Sequence, residues 1–275
     1  MGILDAISRI LATCGVPTDV MAFFVVFGLA LIRIVTAISL APFLGASVPG
    51  RVKIGLSVLI AAILFPQVTP PPEARAVTAV TFVALLIKEA MVGATLGLLS
   101  QLVFYAVQMA GTLMDTQRGM NQLTFFAPQL PGPLSSLGQF QFQAAIALFF
   151  TLDGHLYFLD AIARSFVPVP LMAFPTFHAG LQGVMEQIIR YTADALVIAL
   201  QLSAPVLVAL FLIDAAFGAI GKAASQINVH SESQPVKSLV GLAVFFFAVA
   251  FVLDLTKGHF VTMLQTLREI VRGIA

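Results

Sequence analysis

The stretch VMAFFVVFGLALIRIVTAISLAP, from Val20 to Pro42, decides what kind of protein this is, with Arg33 as its single charge. A helix rises 1.5 Å per residue, and about 20 apolar residues cross the hydrocarbon core of a bilayer. The rest of the chain has the same character. Of 275 residues 59% are hydrophobic and only 10% charged, giving a mean hydropathy of +1.01. A soluble domain carries roughly a quarter charged residues, so this chain cannot cover itself with a water-facing surface. Lipid or protein must replace water, and the reading is one membrane domain of packed helices over residues 1–275. The 24 Phe stand against 3 Tyr and no Trp. Interfacial belts favour Trp and Tyr, so part of the apolar surface is expected to face protein.

Several function classes drop out. The net charge of +1 leaves no basic stripe for nucleic acid. Cys14 stands alone, which rules out an intrachain disulfide or a cysteine metal site. Asp153 and His155 find no third ligand and no nucleophile at useful spacing, so they read as a hydrogen-bonded helix-end pair. No phosphate-binding loop is present. We therefore expect no catalytic residue, no metal and no cofactor. Asp5 and Arg9 precede an apolar stretch without a small-residue cleavage site, which predicts a retained helix.

Along the chain, Ile3, Ile7, Ile10 and Leu11 predict a short amphipathic helix over 3–14. The apolar run 20–48 is broken at Pro42 and Gly45, before a basic turn from Val48 to Lys53. A run over 54–65 ends at Pro66 and the Pro70–Pro72 loop. One long helix, or two, covers 76–114 with Lys88 and Glu89 inside. The segment 115–136 is polar, then aromatic, then rich in Pro and Gly, and predicts an ordered loop. A helix over 137–165 and a loop at Pro168–Pro175 follow. Next come a helix over 181–221 broken at Pro205, a polar turn from Lys222 to Pro235, an apolar run over 238–253 and a final helix over 260–274.

These make about six hydrophobic segments, and they do not form simple spans. The basic turn at Arg51 and Lys53 and the tail with Lys257, Arg268 and Arg272 both belong in the cytoplasm under the positive-inside rule. Six simple spans starting outside cannot satisfy both. Charges also interrupt the segments at Arg33, Lys88, Glu89, Asp115, Asp153, Asp194, Asp214 and Asp254. Each costs about 2.5–3.5 kcal/mol in lipid on insertion scales, so most are expected to face protein or a watery cavity.

Three constellations carry alternatives. Gly93-x-x-x-Gly97 allows close helix approach, either within the chain or to another subunit, and Gly218 and Gly221 read similarly. Asp115, Asp214 and Asp254 suit either a proton relay or structural pairing with Arg118, Lys222 and Lys257. A relay would make the protein a secondary transporter or proton channel. Met120, Phe125 and Phe126 form either a hydrophobic plug or a cap on the helical core, since apolar constrictions gate pores by dewetting.

Arg33 is followed by APFLG at 41–45 and VPGRVKIGL at 48–56. QMAGTLMDTQRG at 108–119 leads to Phe126-Ala-Pro128, then come FFTLDGH at 149–155 and Ser165. Ala204-Pro205, Asp214 with Gly218, SQINV at 225–229 and PVKS at 235–238 follow. This order of motifs resembles the FliR/SctT family of the flagellar and type III secretion export apparatus. Asn228 with Lys237-Ser238 is similar to the injectisome SctT branch. His230 and Glu232 replace apolar residues of that pattern, and Ala224-Ser225 replaces Ala-Pro.

The resemblance implies a single-copy subunit of a superhelical inner-membrane export gate, with five SctR/FliP-like and four SctS/FliQ-like partners. It implies contacts with SctU/FlhB-like and SctV/FlhA-like export proteins, with lipid and with unfolded protein substrates. Residues 1–190 would be SctR-like and 191–275 an SctS-like hairpin with an amphipathic end. Part of the assembly would rise toward the periplasm. Met120, Phe125 and Phe126 would help seal the gate. Arg33, Asp115, Arg118, Asp214, Asn228 and Lys237 are the expected structural polar contacts, and Gly93 and Gly97 the helix-packing positions.

Overall fold

The computed structural model describes residues 20–44, 48–64, 78–120, 135–174, 180–223 and 228–274. The expected helix over 3–14 lies outside them, as do Phe125 and Phe126. The described residues form helices α1 (Val20–Leu40), α2 (Gly50–Leu64), α3 (Ala79–Gln117), α4 (Ser136–Thr151), α5 (Gly154–Ser165), α6 (Gly180–Ala223) and α7 (Val229–Ile274). A 3-10 turn, Pro42–Leu44, follows α1. No strand occurs among the described residues. Among the described residues, four helices are long and apolar enough to cross a membrane: Ala22–Leu40, Ala79–Gln117, Met185–Ala223 and Ser231–Ile270. A fifth span arises if α4 and α5 are counted as one bent pair. This is an all-α, multi-pass membrane protein.

The chain gathers into two compact units. The first draws on Met1–Gln101, His155–Ile188 and Leu264–Ala275, and the second on Leu102–Gly154 and Ile189–Met263. In the first, Val26, Leu29 and Ala30 of α1 pack with Leu85 of α3 and with Leu171. Two glycines bring the helices together. A methyl group on Gly93 would strike the Thr36 hydroxyl and the Arg33 carbonyl, and one on Gly97 would lie 2.7 Å from Leu40 Cβ and 2.8 Å from the Ala37 carbonyl. The Gly93-x-x-x-Gly97 face therefore seats α1 within the chain. Gly93→Ala is expected to cost about 1–3 kcal/mol by overpacking, measurable as a lower unfolding midpoint in detergent.

In the second unit α3 and α4 cross at another glycine pair. A methyl group on Gly111 would sit 2.5 Å from the backbone nitrogen and Cα of Gly138. Around the crossing, Met114, Leu137, Val206, Leu210 and Phe245 form the core. Phe104, Phe149 and Phe260 make an aromatic triad with centroids 4.9–5.3 Å apart. Part of the Phe excess is therefore interior packing. By contrast, a methyl group on Gly218 would meet open space.

The structure corrects several expected boundaries. The basic turn at 48–53 is largely the start of α2, because the Pro49 carbonyl already accepts from Val52 N–H at 2.9 Å. At 15 residues α2 is too short to span. The helix expected over 137–165 is interrupted after Thr151. Asp153 takes φ 54°, a left-handed conformation that Asp tolerates better than most residues. Gly154 lies against the Phe149 ring, where any Cβ would collide. The Leu-Asp-Gly run thus makes a corner, and against about six expected hydrophobic segments the described residues hold four helices long enough to span, or five with the bent pair.

Two prolines do not break their helices. Pro205 removes the bond to the Gln201 carbonyl, yet α6 continues. Neighbouring structure in membrane proteins commonly absorbs such a loss. Pro235 lies inside α7, so the turn expected to reach Pro235 ends by Val229. Contacts from other helices hold those first turns of α7.

Candidate functional site

Two buried polar assemblies account for four of the eight charges in the apolar segments, Arg33, Lys88, Glu89 and Asp115. The first joins α1, α3 and the segment after α5. Arg33 and Glu89 are fully buried and meet side-on: Arg33 Nε donates to Glu89 Oε2, and Nη2 donates to Oε1 at 3.0 Å. Nη1 also donates to Ser165 Oγ at 3.0 Å, and Nη2 to the Val169 carbonyl at 2.8 Å. The guanidinium lies 4.4 Å over the Phe166 ring. Next to Glu89, Lys88 donates to three backbone carbonyls, Pro170 at 2.7 Å, Leu171 at 2.9 Å and Ala173 at 3.0 Å. Two cations share one carboxylate, and four carbonyl dipoles supply the remaining negative potential.

The second assembly centres on Asp115, which is 1% exposed. Its carboxylate accepts from Arg118 Nη1 at 2.9 Å, Ser135 Oγ at 3.0 Å and Leu137 N–H at 2.8 Å. The Leu137 N–H is one of the orphan donors at the start of α4, where negative charge is favoured. Ser135 caps the same helix by accepting from Gly138 N–H at 2.9 Å. At the other end, α3 closes in a Schellman turn, with Met120 N–H on the Asp115 carbonyl and Gly119 N–H on that of Thr116. Gly119 takes φ 81° there, and the Gln234 amide occupies the space a Cβ would need. Arg118 reaches on to α7, where Nε donates to the Ser238 carbonyl at 3.2 Å, and its stem lies on Gly241. One carboxylate thus ties the end of α3 to the start of α4, and its partner Arg118 ties both to α7.

The other expected polar residues are spread along the helices. Asp214 pairs with Lys237 of α7, not with Lys222, because α6 and α7 run side by side there. Asp254 lies 3.7 Å from Lys257. Asn228 caps α7, its side chain accepting from Ser231 N–H at 3.4 Å. Met120 is half-buried at the turn ending α3. Of the eight interior charges, Arg33, Lys88, Glu89 and Asp115 are buried, whereas Asp153, Asp194, Asp214 and Asp254 lie on the surface of this chain. Reading residues one by one missed that Arg33 and Glu89 are partners and missed Ser135. A signal existed for the pair: Arg33 needs a counter-charge, and the next long apolar run contains one acid.

The family profile "Bacterial export proteins, family 1" matches residues 24–263, nearly the whole described chain. The chain belongs to this family. Both polar assemblies of this export protein fall inside the matched region. It is 34% identical over 213 residues to the flagellar biosynthetic protein FliR of Pectobacterium carotovorum, covering 77% of this chain and 79% of the relative. It is 29% identical over 255 residues to FliR of Bacillus subtilis, covering 92% and 97%. With the Yop proteins translocation protein T of Yersinia pestis it shares 29% identity over 216 residues, covering 78% and 82%. This export protein is thus a relative of export-apparatus components in both flagella and secretion systems.

Proposed function

We propose that this chain is a single-copy subunit of the inner-membrane export gate of a type III secretion machine, forming and sealing the channel for unfolded proteins. The match to export proteins across residues 24–263 carries this reading. The Asp115 assembly supports the sealing role, because it fixes both flanks, Met120 and Ser135, of the segment holding Phe125 and Phe126. Anchored flanks are what an apolar gasket needs if it is to close a pore by dewetting. The three carboxylates proposed for a relay each have a cation, Arg118, Lys237 and Lys257. That pairing favours a structural role over proton transfer.

The reading includes SctR/FliP-like and SctS/FliQ-like partners in a 5:4:1 assembly, with SctU/FlhB-like and SctV/FlhA-like proteins beside it. It also includes an SctR-like 1–190 and an SctS-like 191–275, part of the assembly rising toward the periplasm. Exposed apolar side chains on α6 and α7, Phe211 and Phe247 among them, fit burial by lipid and by such partners. The injectisome branch rests on Asn228 with Lys237-Ser238.

Purification in mild detergent is expected to bring down a large hetero-oligomer with two other small hydrophobic chains. A monomer or homodimer with ion-driven uptake would overturn the reading. The Phe125→Ala, Phe126→Ala double variant is expected to make the closed channel leak small ions in planar-bilayer recordings. Unchanged conductance would remove the gasket role and leave membership of the assembly standing.

A further inference from the structure

The charges on α5 and at the end of α7 are arranged differently from the buried assemblies. Asp160 of α5 is shared by two arginines through one oxygen. Arg164 Nε reaches its Oδ2 at 2.7 Å and Arg268 Nη2 reaches the same oxygen at 3.2 Å. The two guanidinium groups are therefore held side by side. They are also open: the Arg164 side chain is 71% exposed and that of Arg268 45%. One carboxylate between two arginines leaves an excess positive charge at the surface.

As a clamp this cluster is weak. Exposed ion pairs contribute little to stability, so fastening α7 to α5 gives little reason for two solvent-facing arginines on one carboxylate. Their surroundings point to a ligand. Leu156 and Tyr157 of α5 are 55% and 51% exposed. They lie one to two turns before Asp160 and Arg164, at the spacing that puts residues on one helix face. The surface thus passes from open apolar side chains, through a tyrosine, to a pair of fixed guanidinium groups. Arginine pairs recognise phosphate through parallel N–H donors, and Tyr favours the membrane–water boundary.

We propose that Arg164 and Arg268 bind the phosphate of an anionic phospholipid whose acyl chains lie along Leu156 and Tyr157. Charge complementarity selects this occupant: a lipid phosphate supplies the missing negative charge, and its tails cover the adjoining apolar surface. Asp160 orients both arginines and also competes with the ligand for their donors.

Native mass spectrometry of the detergent-purified assembly, titrated with phosphatidylglycerol or phosphatidylcholine, tests this. The wild type is expected to retain phosphatidylglycerol in preference to phosphatidylcholine. Arg164→Gln with Arg268→Gln is expected to lower phosphatidylglycerol occupancy at least threefold, with phosphatidylcholine unchanged. Asp160→Asn, which frees both arginines, is expected to raise phosphatidylglycerol occupancy. This opposite sign separates a lipid site from a purely structural ion pair, which would weaken in every variant. Equal retention of the two lipids, or occupancy indifferent to all three substitutions, overturns the proposal. So does competition by inorganic phosphate as effective as that by the lipid, which would mark a site for the free anion. Loss of a partner subunit from the double variant with lipid retention unchanged would assign the arginines to a protein carboxylate and equally overturn it.

Discussion

Glu89→Gln is expected to be among the most damaging single substitutions outside the segment proposed to form the gasket. The change keeps the shape of the side chain and removes the carboxylate that Arg33 and Lys88 share. Breaking a buried pair by neutralising one partner costs about 3–5 kcal/mol, because the charge left behind stays buried without compensation. Here two cations are left. A variant this weakened should give little folded protein, and its thermal unfolding in detergent should fall well below that of the wild type. Arg33→Lys gives the comparison. It keeps the charge, but an ammonium cannot reproduce the flat fork that serves Glu89, Ser165 and the Val169 carbonyl together. An intermediate loss is expected, and a Glu89→Gln midpoint equal to the wild type would show that the trio contributes nothing.

The second large effect is expected at Asp115. Asp115→Ala leaves Arg118 buried without its counter-charge and strips the Leu137 N–H and the Ser135 hydroxyl of their acceptor. The same reasoning gives a loss of about 3–5 kcal/mol. Asp115→Asn keeps an acceptor for α4 and loses only the charge, so it should be milder. Limited proteolysis gives a second readout. Cleavage between Met120 and Ser135 should accelerate in the alanine variant before global unfolding does. Equal cleavage rates in wild type and variant would show that Asp115 does not hold these flanks.

Much of the fold was readable where sequence pattern and physics agree. The long apolar runs at 20–40 and 79–117 are helices because a segment in lipid can satisfy its backbone from within itself only as a helix. Misreadings came where a local signal was outvoted. Pro205 and Pro235 read as breaks, and both lie inside helices, since distant partners hold the flanking turns. Lys237 on Asp214 and Arg118 on the Ser238 carbonyl act at the start of α7, and neither contact is visible in a window of neighbouring residues. Asp153-Gly154 is a turn, where the sequence reading has a continuous helix over 137–165. Half of the interior charges were placed correctly as buried. The other half, Asp153, Asp194, Asp214 and Asp254, lie on the surface of this chain.

Site residues were legible by type, and by partner where the spacing is short: Asp115 with Arg118 and Asp254 with Lys257 pair as expected, whereas the long-range partners do not follow from spacing. Arg33, Asp115 and Arg118 stand out because a charge in an apolar run needs a reason. Their partners sit at separations of 3, 20, 56 and 120 residues. No spacing rule spans such a range.

The carbonyl cage around Lys88 also has a consequence in time. The ribosome makes the chain from its N-terminus, so Arg33, Lys88 and Glu89 exist before their remaining partners do. Arg33 can meet Glu89 as soon as α3 arrives, yet Lys88 must wait for the carbonyls of Pro170, Leu171 and Ala173, more than eighty positions later. During that interval Lys88 has a share in the Glu89 carboxylate but none of its three carbonyls. The cage thus sets an order of assembly: the early helices remain provisional until the segment after α5 is delivered and locks them.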